Sequence, residues 1–179
     1  MNKIDTRSVL LNFADTLRAS GSWCGETHLQ KALYFLKALT DVPLPFDFVL
    51  WKHGPYSFDL HDELSELLGY GLLDYQIRDP HYGPSLIVTE RGKMLVQQQT
   101  AHAAFGRQIG FIATQLASKG VVDLEKLGTA LLVTKQLPAA SAQARAERLH
   151  ELKPHVPEDQ ALQAVEELDL MQAAWAQAH

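Results

Sequence analysis

The chain has 179 residues, 46% of them hydrophobic and 21% charged, with a formal net charge of −5. This is ordinary globular composition, sufficient for one domain with an appended subdomain. Net charges of −3 over residues 1–100 and −2 over 101–179 leave neither part with the basic block typical of duplex DNA binders.

Cys24 is the only cysteine, so no internal disulfide forms and a reducing, cytoplasmic setting is expected. Met1 to Asp5 has no signal-peptide run, and no stretch approaches the roughly 20 apolar residues of a membrane span.

A first helix is expected over 6–19, with Thr6 as N-cap and Val9, Leu10, Phe13 and Leu17 at helical spacing. Gly21 and Gly25 bracket a loop, and Thr27 is expected to cap a second helix over 28–40. Its broad apolar face suits a core helix, with Lys31 and Lys37 placed at the wet edge. Pro43 and Pro45 cannot continue it. The aromatic and branched run 46–51 reads as a short strand, followed by a Gly54-Pro55 turn. Ser57 caps a third helix over 58–68, which Gly69 and Gly71 end.

Residues 72–78 and 85–88 read as two strands around loop chemistry at Asp79 to Pro84, and Thr89 caps another helix. After about residue 100 the pattern is wholly helical: helices over 101–118, 123–136, 141–153 and from Pro157 onward. The expected fold is mainly α with a minor β part. It is a winged helix-turn-helix with a two-stranded wing over 1–100, followed by a helical extension over 101–179. That extension packs on the first part or forms a dimer interface. Trp175 in the last helix needs an interface or an intramolecular seat.

Several short motifs occur in order. Leu29-Gln30-Lys31 opens the second helix and Tyr34 follows. Then come Gly54-Pro55-Tyr56-Ser57, Leu67-Leu68-Gly69 and Thr89-Glu90-Arg91-Gly92. Together, over roughly residues 5–98, they resemble the YwgA-type bacterial winged-helix proteins and the Panacea domain of SocA-like antitoxins. The resemblance implies a non-enzymatic protein that binds DNA, or that binds and neutralises or delivers a partner protein. The helical tail has no counterpart in it.

In a winged helix the third helix usually enters the major groove. Here it offers Asp59, Asp62, Glu63 and Glu66, and no Lys or Arg. A like charge about 4 Å from a phosphate costs on the order of 1 kcal/mol in water, and more where water is excluded. The helix therefore suits a solvated face or a basic protein surface better than DNA. The expected partner-binding residues are His53, Gly54, Pro55, Tyr56, Asp59, Asp62, Glu63 and Glu66, with Trp51 and Tyr82 as nearby aromatic anchors. Any phosphate contacts fall to Lys31, Lys37, Lys52, Arg78, Arg91 and Lys93.

Enzyme signatures are weak. Cys24 and His28 lack an orienting third group, and the histidines lack metal-ligand spacing. No phosphate-cradling loop occurs. No catalytic residue, metal or cofactor is expected. The leading reading is a homodimeric protein-recognition module of antitoxin or adaptor type, with a cognate toxin or other basic partner. The alternative is a dimeric DNA-binding transcriptional regulator.

Overall fold

In the computed structural model, which describes residues 1–178, Asn2 opens the first helix. Helix α1, Lys3–Ala19, starts earlier than expected because the Asn2 side chain accepts from the Asp5 amide at 2.8 Å. Thr6 lies inside the helix, its hydroxyl donating to the Asn2 carbonyl. Helix α2, Glu26–Thr40, follows Gly25, which has no side chain to cap it, so Thr27 is a first-turn residue rather than the cap.

The Gly54-Pro55 pair is not a turn but part of a strand. Strand β1, Val49–Trp51, pairs antiparallel with β2, Gly54–Tyr56, with Trp51 opposite Gly54. The turn is therefore Lys52-His53. Gly54 has φ of 87°, a backbone conformation that only glycine adopts cheaply. Ser57 caps helix α3, Phe58–Gly69, by accepting from the Leu60 amide at 3.3 Å. Gly69 belongs to the helix, and Gly71 is the left-handed residue beyond it.

Strands β3, Leu73–Gln76, and β4, Ser85–Val88, form an antiparallel ribbon with Leu73 opposite Val88. Thr89 caps helix α4, Glu90–Gln98, by accepting from the Gly92 amide at 3.1 Å. A 3-10 turn, Ala101–Phe105, precedes α5, Gly106–Leu116. Then come α6, Val121–Gln136, α7, Ala142–Leu152, and α8, Glu158–Gln177.

The described residues are mostly helical, with two small antiparallel two-stranded sheets. Helix α5 packs on α1 and α2, α6 packs on α2 and β2, and α7 and α8 pack on α6. One apolar core runs from Leu33 and Phe35 through Ile112 to Leu131 and Leu168. The seat of Trp175 is intramolecular: its ring lies 5.0 Å from that of Phe111 on α5. No helix among the described residues is long and apolar enough to cross a membrane.

Candidate functional site

The β1–β2 hairpin is held from three sides. From α2, the Gln30 amide pairs with Ser57 in both directions, donating to its carbonyl at 2.9 Å and accepting from its N–H at 3.0 Å. One residue on, the Lys31 ammonium donates to the Pro55 carbonyl at 2.8 Å. The two sequence motifs are thus two halves of one buried lock. From α6, the backbone at Glu125 approaches Gly54 so closely that a Cβ there would stand 3.3 Å from the Glu125 carbonyl oxygen. Gly128 receives the Pro55 ring in the same way. From beyond α7, Lys153 donates to the carbonyls of Trp51 and Lys52 at 2.9 and 2.7 Å. Gly54 and Pro55 are buried by these contacts, so within the expected partner-binding set they support the hairpin while His53 is exposed.

Lys31 was expected at a wet edge but is 2% exposed. Burial, partly offset by Glu125 and reinforced by Lys153, pushes its ammonium down to about 8. Glu125 is the shared counterion. Its Oε1 lies 3.0 Å from the Lys153 ammonium and 3.3 Å from His155 Nε2, and its Oε2 lies 3.7 Å from His53 Nδ1. Oε1 makes no hydrogen bond, and its contact with Lys153, whose ammonium donates to the two hairpin carbonyls, is one of charge.

An aromatic row crosses the outside of the hairpin. Trp51 packs edge-on against Phe58 at 5.4 Å, Phe58 against Tyr56 at 5.1 Å, and Tyr56 near His61 at 6.3 Å. Trp51 is 55% exposed and Phe58 52%. Below the row, Glu26, Thr27, Lys31, Trp51, His53 and Tyr56 line a cleft of about 230 Å³. On the other side of the α2 N-terminus is a larger cleft of about 380 Å³. It is walled by Trp23, Tyr75, Tyr82 and Pro84. Tyr82 packs on Trp23 at 5.4 Å, and the Trp23 indole donates to the Gly83 carbonyl at 2.9 Å, folding the ribbon loop back.

The acidic helix divides in two. Glu63 and Glu66 are bonded to Arg7, and Glu66 also to Lys3, so they tie α3 to α1. The bond from Lys3 holds the Glu66 carboxyl below its ordinary range. Asp59 and Asp62 are exposed and carry no ion pair among the described residues. Helix α3 thus presents two uncompensated carboxylates, not four.

The candidate phosphate contacts are scattered and mostly engaged. Lys31 is 2% exposed and faces only the small cleft beside the hairpin, out of reach of a duplex phosphate backbone. Lys37 donates to the Phe46 carbonyl, and Lys93 is paired with Glu90. Arg78 stacks 4.8 Å over Trp23, while Lys52 and Arg91 are exposed. Cys24 is fully buried, and burial pushes its thiol up to about 11, the wrong direction for a nucleophile. No group of three or more His, Cys, Asp or Glu among the described residues is placed to hold a metal ion.

Sequence reasoning missed Glu125, Lys153 and His155, which lie far along the chain from the hairpin they serve. A charged residue inside the apolar pattern of α6 was the available signal for Glu125. No protein-family model matches the chain, and no curated protein matches it.

Proposed function

We propose that this chain is a non-enzymatic protein-recognition module of antitoxin or adaptor type, built on a winged-helix arrangement of α1, α2, α3 and the β3–β4 wing. Its docking face is the aromatic row Trp51, Phe58, Tyr56, flanked by Asp59, Asp62 and His61. The observation that carries this is the union of half-exposed aromatic rings, on a firmly held hairpin and the start of α3, with two unpaired α3 carboxylates beside them. Monomer surfaces seldom leave adjacent large rings this open, and such rings are the residues that anchor protein interfaces. The two carboxylates select a basic partner and repel the phosphate backbone. The same charges weigh against the alternative, a dimeric DNA-binding regulator.

Fluorescence anisotropy tests both readings. The full chain is titrated against a labelled peptide of alternating Lys and Leu and, separately, a labelled mixed-sequence duplex, each over a salt series. Binding of the peptide but not the duplex is expected, with loss of peptide binding in Asp59→Lys/Asp62→Lys. Micromolar duplex binding with a steep salt slope would replace the proposal with the regulator reading.

A further inference from the structure

The small cleft beside the hairpin has a property that the docking face does not require. Three charged side chains are buried against the hairpin that borders it: Lys31 and Lys153 against Glu125. Beneath the hairpin there is thus one buried positive charge more than the buried carboxylate balances. Buried charges are retained where something pairs with them. Lys153 has its carboxylate at 3.0 Å and two carbonyl acceptors. Lys31 has a single acceptor, the Pro55 carbonyl, and an ammonium carries three donors.

Lys31 also lines the cleft. Thr27 stands one helical turn before it on the same face of α2, in a first turn that no side chain caps. The free amides and the positive end of the helix dipole thus border the space that Lys31 borders. Trp51 and Tyr56 form the remaining walls, with the Lys31 ammonium 5.9 Å from the Tyr56 ring centre. One lining group opposes an anion, Glu26, and it is bonded to His61 at 2.6 Å.

We infer that this cleft binds an organic carboxylate, its anionic head against Lys31 and the first turn of α2, its apolar carbon frame against Trp51 and Tyr56. A volume of about 230 Å³ is below the roughly 300–1,000 Å³ of drug-sized sites. The ligand is thus a small aromatic or branched acid, or the terminal residue of a polypeptide. The site does not depend on the docking-face reading, although Trp51 and Tyr56 serve both. With its ammonium pushed down to about 8, Lys31 is charged at neutral pH and discharged in mild alkali.

The test is a titration of ¹⁵N-labelled full chain, followed by amide shifts. The probes are N-acetyl-phenylalanine, its amide, benzoate and benzamide, at pH 6.5. Both acids are expected to shift amides of residues 26–31 and 51–57, with each neutral amide binding at least tenfold more weakly. Lys31→Met should lose the acids by a similar factor, with dispersed spectra showing that it is folded. Should that variant fail to fold, the wild type at pH 9.5 provides the same comparison without a mutation. Affinity for acids should fall severalfold there while that for the amides is unchanged. N-acetyl-phenylalanine binding tenfold tighter than benzoate would assign the site to a chain terminus, and equal binding would assign it to free acids. Equal affinity for acids and amides, shifts elsewhere on the chain, or acid binding indifferent to both Lys31→Met and pH would overturn the inference.

Discussion

Replacing Glu125 with Gln should destabilise the protein by about 3 kcal/mol, because it leaves buried ammonium groups without their carboxylate. The side chains of Glu125 and Lys153 are 8% and 6% exposed, and their charged atoms are 3.0 Å apart. At an effective dielectric of about 20 that separation gives a gross attraction on the order of 5 kcal/mol. The two hairpin carbonyls remain to solvate Lys153, which lowers the net loss toward the bottom of the roughly 3–5 kcal/mol range for breaking a buried pair. Gln keeps the shape, so cavity and strain contributions are small. Urea unfolding at pH 7 gives the loss directly, provided the m-value is unchanged. A double variant, Glu125→Gln/Lys153→Met, should recover a large part of it, since the Trp51 and Lys52 carbonyls lie in a turn that water reaches. A loss under 1 kcal/mol, or no recovery in the double variant, would refute the account of Glu125 as the counterion of the hairpin anchor.

Three further expectations follow from the same geometry. Gly92→Ala puts a Cβ 2.4 Å from the Leu72 carbonyl oxygen and should cost about 1–3 kcal/mol or more by thermal melting. Gly128→Ala meets the Pro55 ring at 3.1 Å and should cost less; the opposite order would contradict the packing. Between about pH 8 and 10.5 the unfolded chain holds the Lys31 proton more tightly than the folded one. Stability therefore rises with pH in that window. Wild type should gain up to about 3 kcal/mol relative to Lys31→Met across it, and parallel stability curves for the two would show that Lys31 titrates normally. A double-mutant cycle on Arg7 and Glu63, both partly shielded, should return a coupling of about 1 kcal/mol in urea melts. A value near zero would mean that α1 and α3 are held by apolar packing alone.

The helices were legible because each writes its own period and its own caps. Ser57 and Thr89 both cap as their positions suggest, and the buried stripe of α1 is the one its spacing shows. Thr6 and Thr27 misled because a cap is decided by where the backbone leaves the helix, and Asn2 and Gly25 take that place. Gly54-Pro55 has turn composition, but its surroundings override it: Lys31 of α2 and the backbone of α6 hold those residues in a strand, and the turn falls at Lys52-His53. The ion pairs of Glu63 and Glu66 with Arg7 were invisible for a simpler reason. Charge on one helix says nothing about the charge on the helix packed against it.

Lys31 carries the same lesson into function. At the sequence level a lysine on an apolar helix belongs at the solvent boundary, where its stem covers carbon and its head stays wet. Here the stem points inward and the head donates to the Pro55 carbonyl, and Glu125, from a helix nearly a hundred residues later, offsets part of its burial while pairing with Lys153. Apolar packing alone would fix the hairpin at lower electrostatic cost, so the arrangement is poorly explained as stabilisation. What the charged arrangement adds is a hairpin whose backbone is fixed by directional bonds, which the proposed docking role would use. An interface presented in that state loses little conformational entropy on binding. The ribbon loop is held differently, by contacts at the surface: the Trp23 indole on the Gly83 carbonyl, Tyr82 and Arg78 against the Trp23 ring, and the Tyr82 amide on the Asp79 carbonyl. Amide exchange should therefore protect Gly54 and Tyr56 far more strongly than the amides of 77–84, and comparable exchange in the two segments would remove preorganisation from the case for the hairpin as the docking element.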